Sequence, residues 1–519
     1  MTIYTWIDLI VVLSLLGLGL FIGLGIIVCL LFLWPRFKEF LQTKSFFRNL
    51  VVNQVIGLSL LSLIFFLTPI IPSSVELQDY TLDFVMSLYR GNIPPRTEKF
   101  PAFVLLDIDD ETHQSWGSPA LTPRDKLTNL IDVAVKAKAR LIVVDIALRE
   151  PTNKEGPLHV NDQKLVTYLK NYVVQCQTEK DKSRCPPIIL VRTLSKIATE
   201  FSPAIPHVNF LDEAGVIQAK PYLQRASVQF SSSKLDPNQN DRYWRLWEPI
   251  CAEDKPDILP SVVLLTTAII KGCTDKMQMA LTSVQPQSCD KNKTSLPKSL
   301  NFCSLSISTD FLDIEQRVMY RIPWLVGGKP PTLPYVAYDN LGEPILTIFS
   351  AKPYAESPSQ ANLEPLNDKI VVIGGSYGGH DVYPTPIGDM PGALTIINSI
   401  HTLLQGITIK PVSFSIWFGI GFGFIFIFTI FSYGLSDKWK SLGWVALAII
   451  IAGLSYYTVI FFDDGTWLNF AVPLVIIKLF HFFYQKPWLR ELAVLLFNWG
   501  CDLLKFVIGL FKTFLTKNS

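Results

Sequence analysis

Acidic side chains at the ends of apolar runs are the residues of this 519-residue chain best placed for chemistry. Asp107, Asp109 and Asp110 close the run that begins at Phe103, and Asp145 closes the one that begins at Leu141. Short, continuous apolar runs suit the strands of a parallel sheet covered on both faces, and such sheets bind ligands at the carboxyl ends of their strands. Arg124 opens the helix between these two runs, within reach of a carboxylate, and Asp381 follows the Gly-rich turn after a later run at 370–373. Asp109, Arg124, Asp145 and Asp381 therefore make the candidate ligand-binding set, for a small ligand or a cation. A second reading of the same residues, an internal ion-pair network that fixes loops and caps helices, stays open beside it.

No catalytic residue emerges. Gly374-Gly-Ser-Tyr-Gly-Gly379 either offers backbone N–H groups to an anion or makes a tight structural turn, and it lacks the Lys-Ser/Thr of a phosphate-binding P-loop. Ser376 has no G-x-S-x-G around it. The six histidines, His380 and His401 among them, form no catalytic pattern, and no CxxC or HExxH spacing offers a metal site. No cofactor and no metal are implied.

Four runs read as the strands that position the acids: 103–108, 141–146, 188–191 and 370–373. Between the first two, Thr122-Pro123-Arg124-Asp125 supplies an N-cap, a proline at the first helical position and an acid in the first turn. Leu127, Leu130, Ile131 and Ala134 then recur at helical spacing, which predicts a strand–helix–strand unit with a right-handed crossover. Further helices are predicted at 260–271 and 393–405, the latter stopped by Gly406. The interval from about 200 to 350, rich in Pro, Ser and Asn, reads as an irregular insertion.

Cys176, Cys185, Cys251, Cys273, Cys289 and Cys303 all fall in this part of the chain, whereas Cys29 and Cys501 lie outside it. An even set in one region fits disulfides formed in an oxidising compartment, with buried free thiols as the alternative. Pairings that close short polar loops are favoured, Cys176 with Cys185 and Cys273 with Cys289, leaving Cys251 for Cys303.

Composition sets the rest of the molecule apart. The chain is 49% hydrophobic and 17% charged, against roughly 25% charged residues in an ordinary soluble domain. Lys and Arg number 46 and Asp and Glu 44, a net charge of +2 that gives no electrostatic footing for nucleic acid. The apolar content also excludes disorder. Stretches at 10–34, 50–71, 414–433, 442–462 and 467–484 approach the roughly 20 residues that a membrane helix needs. The expected fold class is therefore an α-helical transmembrane protein of about five spans with an extracytoplasmic α/β domain, built on a mostly parallel central sheet with an irregular insertion. The first stretch reads as retained, since it lacks the basic start and the cleavage site of a signal peptide.

Arg36, Lys38, Lys44 and Arg48 put the first loop on the cytoplasmic side, and Lys438, Lys440 and the basic C-terminal residues agree with that orientation. The expected order is two spans within 1–72, an outer domain over 73–411, three spans within 412–485 and a cytoplasmic interfacial amphipathic helix over 486–519, with a re-entrant tail as its alternative. Lys478 and His481 fall near the cytoplasmic end of the last span, where snorkelling accounts for them. The protein is expected in the bacterial inner membrane as a multi-pass protein, its large domain periplasmic or extracellular.

Several of these residues together resemble a known family. Phe103-Val-Leu-Leu-Asp-Ile-Asp-Asp110, Leu121-Thr-Pro-Arg124, Ile142-Val-Val-Asp-Ile146 and Asp162 with Leu165 are similar to the opening half of CHASE2 extracellular sensor domains. Leu366-Asn-Asp-Lys-Ile-Val-Val-Ile-Gly-Gly-Ser376, Asp381, Thr385-Pro386, Met390-Pro-Gly392, Asn398 and His401-Thr-Leu-Leu404 are similar to the closing half. The resemblance covers about 75–410 and implies a sensing role. Such domains commonly have one span before them and three after, followed by an intracellular cyclase or kinase; here an extra first span and only a short tail are expected. Leu394 and Ile396 stand where members often carry a Glu and a His.

The leading expectation is a non-catalytic sensor or scaffold whose outer domain binds a ligand or protein and passes the signal to a separate partner. A structural or docking subunit of a bacterial membrane assembly is the alternative. A metal-assisted hydrolase using Asp109, Asp145 and Asp381 comes third. Expected partners are the lipid bilayer and a separate membrane or cytoplasmic protein, with homo-oligomerisation open and no nucleic acid.

Overall fold

Four apolar runs become strands where the spacing predicts them: β1 (Phe103–Ile108), β2 (Leu141–Val144), β3 (Ile188–Arg192) and, late in the chain, β7 (Ile370–Gly375). β4 (Leu223–Ser227), β5 (Tyr335–Tyr338) and β6 (Pro344–Ser350) join them in a seven-stranded sheet of order β5-β6-β1-β7-β2-β3-β4. Every neighbouring pair is parallel except β5 with β6. The computed structural model describes residues 72–95 and 100–411, apart from 154–155, 197–202, 208, 217–218, 232–240, 253, 291–295, 311–312, 380 and 407; beyond these it describes Gln54, Gly419, Tyr456, Phe462 and 465–467. The chain divides into two compact units, Met1–Leu82 with Pro411–Ser519, and Asp83–Lys410, and the whole sheet lies in the second.

Strand periodicity sorts the sheet into two faces. Val104, Leu106, Ile108, Ile142, Val144, Val371 and Ile373 share one apolar core with helices α1 (Arg124–Lys136) and α2 (Val160–Thr178). The alternate residues, Phe103, Leu105, Leu141, Val143, Ile370 and Val372, are equally buried and belong to the other face. There α4 (Gly392–Gln405) packs on β7 and β1 and against α3 (Val262–Ile270). All residues of α4 are buried, so it is a core helix with no solvated side. It ends at Gly406, whose φ of 69° is the left-handed conformation that glycine supplies cheaply.

The expected fold class is corrected here. Among the described residues no helix is long and apolar enough to cross a membrane, and what they form is an α/β fold with a mostly parallel sheet. The physical reason lies in how apolar length is used. α4 is buried on every side but has only 14 residues, Thr395, Asn398, Ser399, His401, Thr402 and Gln405 among them, and α2 has 19 but carries Asp162, Lys164 and Lys170, whereas a span needs about 20 mostly apolar residues. The five stretches read as spans, the loops between them and the tail at 486–519 lie outside the described residues, apart from the isolated positions named above.

The interval from 200 to 350 is more ordered than its composition predicts, since it supplies β4 near its start and β5 and β6 near its end. Between them, among the described residues, run three antiparallel pairs: Phe230–Ser231 with Tyr243–Trp244, Trp247–Ala252 with Lys255–Pro260, and Ser299–Phe302 with Leu305–Ser308. Buried Arg242 and Arg317 converge on Asp83: Arg242 donates from Nε and Nη2 to Oδ2 at 2.9 and 2.7 Å, and Arg317 Nη2 donates to Oδ1. All six cysteines of this unit are paired. Cys176–Cys185 matches the expectation, but the other two links are Cys251–Cys289 and Cys273–Cys303. Proximity in sequence misleads at these positions because α3 and the helix Thr274–Thr282 fold the intervening chain back, so that the nearer cysteine along the chain is not the nearer one in space.

Candidate functional site

The carboxyl ends of β1, β7 and β2 bring one row of residues into register. Asp107 on β1 lies opposite Gly374 on β7, and Asp145, whose N–H donates to Ile373 O at 2.8 Å, follows β2 on the far side of that glycine. In-register residues of a parallel sheet share a face, so Asp107 and Asp145 both stand on the α4 side. Gly374 between them is required by close approach: a Cβ there would sit 2.5 Å from the Ala393 Cβ and 3.8 Å from the Asp145 Cβ. The missing side chain lets the first turn of α4 settle over the row.

Asp381 completes the cluster from the loop that joins β7 to α4. Its carbonyl accepts the Gly392 N–H at 2.9 Å, and a Cβ on Gly392 would meet its carboxylate oxygens at 2.8 and 3.1 Å. The carboxyl group therefore lies against the first residue of a 14-residue helix whose N-cap, Pro391, offers no side-chain cap.

Burial dominates the electrostatics of all three acids. It pushes Asp145 up to about 8, with the charge of Asp381 adding to the effect. Asp107 is raised to about 7, again mainly by burial, against the hydrogen bond from Ser376 and with help from Asp109 and Asp110. Asp381 is raised by burial, opposed by its hydrogen bond with Tyr383. Asp107 is 1% exposed; its Oδ2 accepts from Ser376 Oγ at 2.7 Å, while its Oδ1 has no hydrogen-bond partner among the described residues. The arrangement suits groups that exchange protons near neutral pH.

The sequence-predicted set of four is only half assembled by the fold. Asp145 and Asp381 come together; Asp109 and Arg124 go elsewhere. Asp109 caps the helix Asp110–Ser115, accepting the Thr112 N–H at 2.8 Å. Arg124, 1% exposed, donates to the carbonyls of Ala147 and Glu150 and faces Asp162, which is itself held by the N–H and hydroxyl of Thr152. These two residues follow the structural alternative. The Gly-rich turn behaves likewise, since the Gly378 N–H is taken by the Asp110 carboxylate at 2.8 Å, an anion the chain supplies itself. Asp107 is the residue that the candidate set missed. Its signal was period two: within the run from Phe103 it shares a face with Phe103 and Leu105, whereas Asp109 lies beyond the strand.

A separate cavity of about 260 Å³ opens at the amino ends of the same strands, lined by Phe100, Arg140, Lys271, Asp368 and Leu404, and holds none of these acids. Among the described residues no three His, Cys, Asp or Glu side chains are placed to hold one metal ion together.

A mostly parallel sheet with helices on both faces places ligand sites, where such domains have them, at the carboxyl ends of its strands, and the family comparison names the class of this domain. The family model for the CHASE2 domain matches residues 56–436, most of the chain, and the chain belongs to the CHASE2 family. CHASE2 is an extracellular sensor domain family, sensory and not catalytic. No curated protein and no solved structure matches this chain.

Proposed function

We propose that this protein is a non-catalytic sensor whose CHASE2 domain binds a ligand at the carboxyl ends of β1, β7 and β2 and passes the result to a separate protein partner. One observation carries the reading: Asp107, Asp145 and Asp381 gather at the start of a wholly buried helix, so a change in their occupancy acts on the core. A cluster of desolvated acids is costly to the fold, and in a sensory family such a cost is accounted for by binding. Asp109 and Arg124 support the site from outside it, one as a helix cap and one as a loop brace. Three disulfides within the domain favour the oxidising, outer side of the bacterial inner membrane as its location.

The test uses the full chain copurified with its partner from native membranes. A sensor requires that Asp145→Ala or Asp381→Ala alter the partner's output while the complex and the amount of folded chain stay unchanged. The docking-subunit reading, favoured by the disulfide-braced 251–303 segment as a rigid platform, requires the opposite: full output from both variants, and loss of the complex when that segment is altered.

A further inference from the structure

We propose that the proton is itself a ligand of this crevice: Asp107, Asp145 and Asp381 form a latch that, while neutral, holds Ser376, Asp381 and the first turn of α4 against the ends of β1 and β2, and that loosens when the acids ionise. The proposal rests on the sensor reading only in giving the latch a purpose; the latch itself stands on geometry.

Three structural facts carry it. Asp107 and Asp145 flank Gly374 on one face of the sheet, and the Ala393 methyl group of α4 fills the space over that glycine. Asp381 is tied to the start of α4 through its own carbonyl and through the contact of its carboxyl group with Gly392, so whatever moves Asp381 pulls on that helix. Asp107 is almost fully buried, with one carboxyl oxygen lacking a hydrogen-bond partner among the described residues, which is an arrangement that a neutral acid tolerates and a carboxylate does not.

The surrounding charges make the response one-sided. From the loop after β7, Asp381 acts on Asp145; from the segment after β1, Asp109 and Asp110 act on Asp107; and on the Asp381 side, Tyr383 feels Asp381, Asp145 and Asp241. Ser376 contributes a hydroxyl to Asp107, and Ala393 of α4 faces Gly374 with a methyl group. On the flank of α4, Tyr320 feels the charges of Asp241, Arg317 and Asp83. Among the described residues, the charged groups that act on Asp107 and Asp145 are acids. Each proton lost therefore adds repulsion. The direction of the shifts, with Asp107 at about 7 and Asp145 at about 8, sets the transition across neutral pH.

Hydrogen exchange read by mass spectrometry on the full chain tests the latch, comparing peptides that cover 376–396 between pH 6 and pH 8.5 after correction for the intrinsic exchange rate. Wild type is expected to lose about tenfold or more of its protection there as pH rises, while peptides of β2 and β3 do not change. Asp145→Asn with Asp381→Asn, which keeps the shape of the neutral acids, is expected to hold the low-pH protection at both ends of the range. Asp132→Asn, at a surface ion pair on α1, is expected to keep the wild-type step. A wild type with no step, or a step of full size in the double variant, overturns the proposal. If the double variant fails to fold, Asp107→Asn provides the same comparison, with a reduced step expected and an unchanged one counting against the latch. A step that is present without any effect on the partner's output supports the latch while ending the sensor reading, so the two fail separately.

Discussion

Asp107 and Asp145 stand in register on either side of Gly374, two acids facing the same buried helix across the one residue in the row that has no side chain. Their spacing is fixed by the hydrogen bonding of the sheet, so neither can withdraw from the other without disturbing the central strands.

The first expectation concerns pH and stability. Both acids are held above the ordinary carboxylate range of 3.8, so between about pH 4 and pH 8 the native state binds more protons than the unfolded one. Stability then falls as pH rises through that window and levels off above it. Asp241 and Glu248, raised by burial to about 6 and about 7, act in the same direction. Asp145→Asn should therefore flatten the fall across that window, with a gain in stability at pH 8 and little change at pH 4. Denaturant melts across pH measure it.

Arg124→Ala separates a brace from a binding residue. Its guanidinium is buried against Asp162 and the carbonyls of Ala147 and Glu150. Removing it leaves Asp162 without its cation, at a cost of about 3 kcal/mol or more. The expected result is a lower melting midpoint with the protection step at 376–396 intact in whatever fraction stays folded.

Gly374→Ala should be costly for a methyl group. The added carbon would sit 2.5 Å from the Ala393 Cβ, so α4 must lift from the sheet, and overpacking of this kind costs typically 1–3 kcal/mol. Ala393→Gly in the same chain should recover part of the loss, and a double-mutant cycle by chemical denaturation reads the coupling.

Asn398 pins α4 to the chain at 321–322. Its Oδ1 accepts the N–H groups of both Arg321 and Ile322 at 3.0 Å, and its Nδ2 donates to the Ile322 and Leu394 carbonyls. Asn398→Ala strands two buried donors, for a loss of about 2–4 kcal/mol. Asn398→Asp keeps the acceptor but loses the donor and buries a charge, so it should not rescue; thermal melts of both variants decide.

Peptide mapping without reduction should recover Cys251 joined to Cys289 and Cys273 joined to Cys303, and no peptide joining Cys273 to Cys289. Replacing one of these pairs with alanines should cost about 2–4 kcal/mol.

Periodic signals carried well from sequence to fold. The runs at 103–108 and 370–373, the helix over Arg124–Lys136 and the stop at Gly406 follow from local physics, because apolar spacing acts over a few residues, although the cap of that helix is Pro123 without a side-chain hydrogen bond and not Thr122. What depended on long-range pairing did not carry. Nothing local to Ile370 says that its strand inserts between β1 and β2, and nothing local to Asp145 says that Asp381 will reach it while Arg124 turns away. The stretches at 10–34, 50–71, 414–433, 442–462 and 467–484 fall outside the described residues apart from isolated positions, and where the chain is described its apolar residues fill two faces of a sheet and a buried helix. Asp107 was legible in principle, since alternation along β1 puts it inside and Asp109 beyond the strand.

The two disulfides of the 251–303 segment interleave along the chain, the second beginning before the first has closed. Had they been nested, a protease cutting once on each side of an inner loop would release it. With the interleaved order, the piece from Cys273 to Cys289 stays bonded to both flanks after two such cuts. A domain exposed to extracellular proteases thus keeps this segment as one covalent body after its backbone has been severed twice.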